Sequence, residues 1–357
     1  MPGISDVARL AGVSTATVSR ALSGNGAVSA ETRVRVTQAA ASLGYVVSSD
    51  ASSLASGRTR NVGVVVSHLS RWYFTAVIEG AQRVLLQRGY DVTLYNLGGE
   101  GEERPRVFEH HLLRGRVDAV IAVALKLTED EIGRLLAIGK PVAGVGGPLP
   151  GASTVTIDDV HVGRLATEHL LALGHRRIAH LGGRPEFDLE FHVPTSRRLG
   201  YEAALLAAGI APDPALSVAG DFTIPGGHEA ARRLLEPALL ESAQRRPTAV
   251  FAASDEMAIG AVLAARELGL SVPGDLSVIG VDDHPLAAFF GLSTVAQHVE
   301  RQGEQVAELL LRTIDPPRRH GPAADDAPTT LHSPVDLVVR TSTAAPADHP
   351  TPTTRNA

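Results

Sequence analysis

The sequence contains no cysteine, which excludes disulfides, thiolate nucleophiles and every zinc site built on thiolate ligands. A reducing compartment suits such a chain, and a cytoplasmic location is expected. Aromatic residues make up only 4% of it, with a single Trp, so any cluster of rings stands out. Lysine is scarce: Lys126 and Lys140 are the only two among 33 Lys and Arg residues. No apolar run approaches the roughly 18 to 20 residues that span a bilayer. The start MPGISDVARLAG carries Asp6 and no apolar signal core, so neither export nor membrane insertion is expected.

What is present is ordinary globular composition. At roughly 150 residues per domain, 357 residues make two to three domains. Hydrophobic residues at 44%, charged residues at 20%, 35 Gly and 22 Pro exclude bulk disorder, collagen and coiled coil. The net charge of −6 argues weakly against nucleic-acid binding until its distribution is considered. Residues 1–60 hold six Arg (9, 20, 33, 35, 58 and 60) against Asp6, Glu31 and Asp50, a net of +3, which leaves −9 for the rest. The basic end uses Arg alone, the planar donor suited to phosphates and guanine edges.

From Ile4 to Leu43 the apolar residues Val7, Leu10, Val13, Val18, Leu22, Val34, Val36 and Leu43 recur at helical spacing, interrupted by Gly12 and Gly24. Three helices are predicted, at about 5–11, 15–22 and 30–43, with Ser14 and Ser29 as N-caps. Residues 46–60, VVSSDASSLASGRTR, have linker composition, with Leu54 the one large apolar residue after Val47. From Asn61 the pattern changes. Short β-branched runs at 61, 91, 118 and 141 alternate with amphipathic stretches at about 73–88, 102–114 and 129–139. The alternation continues with strands at 154, 177, 216, 248 and 276 and helices to Gly174 and at 196–208, 226–240 and 255–268. Parallel sheets with crossover helices, in two similar α/β lobes, follow from that rhythm. Residues 316–334 read as a Pro-, Asp- and His-rich loop, DLVVR at 336 as a last strand, and 344–357 as a disordered tail.

The sharpest motif is DVARLAGVSTATVSRAL, from Asp6 to Leu22. A helix, a Gly-Val-Ser turn and a second helix have helix-turn-helix spacing. Ala8 and Ala11 allow close approach, Val13 and Val18 fill the space under the turn, and Thr15, Ala16, Thr17 and Arg20 need not be buried. A purely structural hairpin is the alternative. The Arg on the outer face and the local positive charge favour DNA.

ISDVARLAGVSTATVSRALSGNGAVSAETRVRVTQAAASLGY resembles the DNA-binding headpiece of the lactose-repressor and galactose-repressor (LacI/GalR) family. The similarity continues through RTRNVGVVV, RGYDVTLYN, RVDAVIAV, GRLATEHLLALGHRRIAHLGG, RRLGYEAAL, RPTAVFAASDEMAIGAVLAARELGLSVPGDLSVIGVDD, LSTVAQ and DLVVRTS, covering about residues 4–343. The resemblance implies an α/β protein: an N-terminal three-helix helix-turn-helix headpiece at 1–45, a hinge linker at 46–60 and a two-lobed periplasmic-binding-protein-like core at 61–343. The amino-terminal lobe is expected at about 61–158 plus 293–315, and the carboxyl-terminal lobe at about 159–291 plus 331–343. It further implies a homodimeric transcriptional regulator, a repressor, whose affinity for a pseudo-palindromic operator changes with a small effector, a sugar. No leucine heptads follow the core, which favours dimers over tetramers.

Carried over by position, the base-reading residues are Thr15, Ala16 and Arg20. Arg20 can donate a bidentate pair to guanine O6 and N7. Ser14, Thr17, Ser19 and Thr32 are candidate phosphate partners, with helix capping the competing role for Ser14 and Thr32. The family's linker folds into a hinge helix on the operator, and Leu54 matches the Leu that wedges into the minor groove. Here the linker departs from the family pattern. Val46, Val47, Ser48 and Asp50 stand where Arg, Pro, Asn and an apolar residue are usual, and Ser52 replaces an Arg. Asp50 is placed to cap the hinge helix.

The resemblance places the effector between the lobes, at the carboxyl ends of the strands. Arg197 matches a ligand-anchoring Arg and Asp282 an Asp that accepts from ligand hydroxyls. Trp72, Tyr73 and Phe74 follow the first core strand; one or two are expected in the cleft and the rest in the core. Ser254 stands where Asn is frequent and shortens the polar reach there. Phe187, Asp188 and His192 are weak candidates in a variable loop. The 14 His, among them His110, His111, His161, His169, His175 and His180, form no ligand pattern and read as structural or surface residues. GVGG at 144 is a loop after a strand, and no Gly-x-Ser-x-Gly elbow, Walker loop or HExxH is present. No cofactor, metal or enzymatic activity is expected. A sugar-binding protein without a DNA role is the alternative, and the basic headpiece and the absence of an export signal weigh against it.

Overall fold

The computed structural model describes residues 2–23, 28–45, 57–97, 103–112, 115–125, 127–183, 192–240, 246–315 and 327–347. Leu54 and the rest of the expected hinge helix lie outside the described residues, as do Phe187 and Asp188. The chain divides into two compact units: Met1–Asn61 with Gly115–Asp118, and all other residues from Val62 onward.

The first unit is a three-helix bundle of α1 (Ile4–Ala11), α2 (Thr15–Ser23) and α3 (Ala30–Leu43). The Asp6 carboxylate accepts from the Gly3 N–H at the start of α1. Gly12, at φ +65, stops α1 in the left-handed region, and the Val13 N–H then donates to the Ala8 carbonyl. Ser29 caps α3 by accepting from the Thr32 N–H. Val7, Val18 and Val36 are buried with Ala8, Ala11 and Ala21, so small residues bring the helices close. Leu10 and Val34, part of the helical apolar pattern in the sequence, are more than half exposed at 57% and 56%. A bundle built on alanines is too narrow to cover them. At the end of the linker the Asp118 carboxylate accepts from the Thr59 and Arg60 N–H groups and the Thr59 hydroxyl.

The second unit holds two six-stranded sheets. The amino-lobe sheet combines β1 (Asn61–Val66), β2 (Asp91–Asn96), β3 (Ala119–Val123), β4 (Val142–Val145), β5 (Ser153–Thr156) and β11 (Thr330–His332) in the order β11-β5-β4-β3-β1-β2. The carboxyl-lobe sheet combines β6 (Ile178–Gly183), β7 (Ser217–Gly220), β8 (Ala249–Ala252), β9 (Ser277–Asp282), β10 (Ser293–Ala296) and β12 (Asp336–Val338) in the order β12-β10-β9-β8-β6-β7. The central strands are apolar on both faces, as parallel strands covered by helices must be: all five residues of β3 are buried. β12 runs antiparallel to β10, while β3 and β1, β4 and β3, β5 and β4, and β11 and β5 pair in parallel.

Helices α4 (Trp72–Gln87), α5 (Glu129–Ala137) and α10 (Val299–Ile314) belong to the amino lobe. The carboxyl lobe carries α6 (Asp159–Ala172), α7 (Val193–Ala207), α8 (Ile224–Leu240) and α9 (Asp255–Glu267). Three helix pairs are packed closely by reciprocal glycines. A Cβ on Gly80 or Gly303 would strike the backbone of the partner helix in the α4–α10 pair. The same holds for Gly163 and Gly200 between α6 and α7, and for Gly227 and Gly260 between α8 and α9.

Several sequence expectations need correction. Residues 293–296 are β10 of the carboxyl lobe, so the expected amino-lobe segment 293–315 contributes only α10 to that lobe. Residues 330–332, read as part of a loop and, from 331, of the carboxyl lobe, form edge strand β11 of the amino lobe. The chain thus exchanges lobes at 297–298 and again at 333–335. The stretch 102–114 is not one helix: a turn at Glu103–Arg106 widens into a π-type turn at Val107–His111. The tail is ordered at its start, because Ala344 donates its N–H to Ser277 and its carbonyl accepts from His175.

Candidate functional site

On the first unit, Ser14, Thr15, Ala16, Ser19 and Arg20 are exposed along the start and outer face of α2. Thr17 is partly buried. The Ser14 hydroxyl accepts from the Thr17 N–H at 3.1 Å and lies 2.9 Å from the Thr17 hydroxyl, so Ser14 does cap α2. The Ser29 hydroxyl donates to the Thr32 hydroxyl at 2.9 Å. A phosphodiester oxygen only accepts, so each hydroxyl must offer it an O–H: Thr32 accepts from Ser29 and keeps its own proton, and Ser14 keeps its proton when Thr17 is the donor in their pair. Val18 and Ala21 face inward, which leaves Thr15, Ala16, Ser19 and Arg20 as the exposed ridge.

In the second unit a cavity of about 1100 Å³ lies between the lobes. All six effector candidates, Trp72, Tyr73, Phe74, Arg197, Ser254 and Asp282, line it. The strand order explains this convergence: α4, α7 and α9 follow carboxyl ends of strands, where open α/β sheets leave a crevice.

The carboxyl-lobe wall is ionic. The Arg197 side chain, 5% exposed, donates from Nε to Asp159 Oδ1 at 2.8 Å and from Nη1 to the Ala253 carbonyl. Two of its donors are used within the protein, which fixes the planar fork and leaves others for a ligand. Asp282 accepts from Gln297 Nε2, and Gln297 is in turn held by Gln302, whose Nε2 donates to the Gln297 carbonyl at 2.6 Å. Burial pushes the Asp282 carboxyl up to about 7, with Arg197 acting in the opposite direction. Burial likewise raises Asp159 and Asp255. Asp255 takes no place in the cavity lining but holds the loop behind it, accepting from the His284 N–H at 2.8 Å. Asp282 and Asp283 adopt φ of 128 and 56, strained for residues with a Cβ. Arg340 secures this bend through Asp283 Oδ1 at 2.7 Å. Ser254 caps α9, accepting from the Met257 N–H, so its hydroxyl supports the helix as well as facing the cavity.

The amino-lobe wall is aromatic. Phe74 is buried in the lobe's core with Tyr73 edge-on at 5.6 Å, whereas Trp72 and Tyr73 are partly open. Burial, reinforced by Asp159, pushes the Tyr73 phenol up. The Tyr73 hydroxyl lies where a Cβ on Gly146 would stand, and Gly146 has φ +84, so only glycine fits there. Trp72 crosses the cleft to His284, with ring centroids 4.8 Å apart.

Several lining residues escaped the sequence reading, among them Asp159, Gln297, Glu256 and Phe222. Asp159 follows β5 and reads as a helix-start acid. Gln297 follows β10, a strand too short and too rich in hydroxyls to stand out. Glu256, raised by burial and lowered by Arg71, looks like another first-turn acid of α9. Phe222 sits at φ 61 beside Gly183 and Pro194; an aromatic in the left-handed region was the one available signal, and only coordinates show it. His192 also lines the cavity. His180 is structural: it is buried against Tyr201 and Phe251, and burial lowers it to about 3. Among the described residues no group of three His, Asp or Glu side chains is disposed to hold a metal ion.

Comparison with known proteins decides the family. Residues 3–48 match the model for bacterial regulatory proteins of the lacI family, and residues 167–343 match the periplasmic binding protein-like domain. The HTH-type transcriptional repressor PurR of Vibrio atlanticus (strain LGP32) is 34% identical over 319 residues, 88% of this chain and 92% of that protein. The chain belongs to the lacI family of bacterial regulatory proteins. The ribose operon repressor of Escherichia coli (strain K12) is 33% identical over 323 residues, 89% of this chain and 94% of that one. Among solved structures, the lac repressor dimer bound to operator and the anti-inducer ONPF superposes with a TM-score of 0.80 at 28% identity, covering 96% of this chain and 99% of that one. A complex of the transcriptional regulator CelR with cellobiose gives 0.68 at 34% identity, covering 96% and 100%. As a lacI-family member the protein is a DNA-binding transcriptional regulator, and the reading of a binding protein without a DNA role falls. No described helix is long and apolar enough to cross a membrane.

Proposed function

We propose that this lacI-family regulator is a cytoplasmic repressor that binds a pseudo-palindromic operator as a homodimer and responds to a sugar held between its two core lobes. The observation that carries the effector reading is the buried Arg197, paired with Asp159 and facing Asp282 in an aromatic-walled cavity. A guanidinium donates to ring and hydroxyl oxygens, a carboxylate accepts hydroxyl protons, and Trp72 or Phe222 covers the apolar face of a ring. Relatives of similar architecture include one solved with cellobiose and one with bound ribose.

On the headpiece, Thr15, Ala16 and Arg20 read base edges while Ser14, Thr17, Ser19 and Thr32 meet phosphates, with Leu54 assigned to the minor groove. A ligand that bridges the lobes favours one lobe angle. Operator affinity follows that angle, and by linkage the operator changes effector affinity by the same factor. The direct test is an electrophoretic shift on DNA upstream of the protein's own gene. Arg20→Ala should cost about 1 to 3 kcal/mol on the specific fragment and far less on random DNA. Equal loss on both would remove base reading from Arg20.

A further inference from the structure

The cavity extends beyond the cluster around Arg197. It continues along the edge of the amino-lobe sheet, where β11 pairs in parallel with β5. Thr154 and Thr330 lie opposite each other there with hydroxyls 3.4 Å apart, and the Thr156 hydroxyl lies 3.3 Å from His332 Nδ1. The rail ends at Ser333, which is 5% exposed, lines the cavity, and has a buried hydroxyl without a hydrogen-bond partner. Beside these polar groups Ile157, Pro334 and Val335 supply an apolar ledge. Buried hydroxyls are ordinarily satisfied, so an orphan at a cavity wall points to a missing polar partner.

We propose that this rail is a second subsite, and that the effector is an uncharged disaccharide with one ring at Arg197 and Asp282 and the other on the β5–β11 edge. This rests on the reading of the cleft as a sugar site and specifies its ligand. Three observations carry it. The volume of about 1100 Å³ matches or exceeds the roughly 300–1,000 Å³ of pockets that enclose drug-sized ligands, so one ring would leave much of it wet. The rail offers hydroxyls and an imidazole on one side and carbon on the other, the two faces of a sugar ring. Its hydrogen-bonding groups carry no fixed charge, and the two residues that follow Ile157 in the lining, Asp158 and Asp159, are acids. A phosphate or carboxylate on the second ring would find no Arg or Lys among the rail's own side chains.

The test is calorimetry on the full-length protein with cellobiose, maltose, trehalose and lactose against glucose, galactose, ribose and glucose 6-phosphate. One of the neutral disaccharides should bind at least about tenfold tighter than its component monosaccharides, the gain expected from two or so added hydrogen bonds. Thr156→Val and His332→Ala should each remove most of that advantage and leave monosaccharide binding unchanged. Arg197→Ala should weaken both ligand classes together. A monosaccharide or the sugar phosphate binding as tightly as any disaccharide would overturn the second subsite while the sugar-site reading stands. Disaccharide binding that ignores both rail substitutions would do the same. Failure of every sugar to bind would overturn both.

Discussion

The two walls of the cleft are built on opposite chemistry. The carboxyl-lobe wall holds Arg197, Asp282 and, behind it, Asp255, all buried, with the partly exposed Asp159, cross-braced by hydrogen bonds and set on a strained bend. The amino-lobe wall holds Trp72, Tyr73, Phe74, the hydroxyl rail and Gly146. A charged cluster in a dry site is rigid because each member must keep its partners. Rings and hydroxyls tolerate small displacement. The carboxyl lobe is thereby suited to anchor a ligand in one orientation, and the amino lobe to close on whatever face that ligand presents.

The sharpest way to break this contrast is Arg197→Ala. Removing one member of a buried pair leaves Asp159 and Asp282 uncompensated, at a cost of about 3 to 5 kcal/mol. Effector response, measured as operator release, should vanish while operator affinity without effector is retained. A normal response would move the anchor elsewhere. Next in size, the glycine contacts test whether the lobes differ in their frameworks as they do in their walls. Gly80→Ala in the amino lobe and Gly163→Ala in the carboxyl lobe should each cost about 1 to 3 kcal/mol by overpacking, read as a lower Tm. Equal losses would confine the contrast to the cleft.

The last test is a pH dependence confined to the charged wall. Asp282 has a folded pKa raised to about 7, against roughly 3.9 when unfolded. The folded state therefore holds a proton that the unfolded state releases between those values, and stability falls as pH rises from about 4 to 7. Asp282→Asn removes the cost of burying the charge. Its Tm should exceed that of the parent at pH 8, and the difference should shrink as pH drops below about 7. Trp72→Phe, on the other wall, should show no such pH trend.

Much of this was readable in advance where the signal was local. The helices of the headpiece, the Ser14 and Ser29 caps and most core strands follow from periodicity and turn residues within a few positions. The resemblance placed Arg197, Asp282 and the Trp72–Phe74 run, and the structure brings them to one cavity. Strands β10 and β11 went unread because they are four and three residues long and carry Ser, Thr and His instead of a β-branched run. The burial of β10 and the pairing of both strands are conferred by neighbours far away in the chain.

By itself the sequence determined the helix-turn-helix, the alternation of strands and helices, and the basic character of the first sixty residues, since each depends on residues close along the chain. Only the tertiary structure decided that β10 and β11 exchange lobes, that Asp159 and Gln297 meet Arg197 and Asp282, that Phe222 bends into the cleft, and that Ser333 ends a rail of hydroxyls. Those facts depend on which distant segments come to share a sheet edge or a cavity wall, and spacing along a chain carries no record of that.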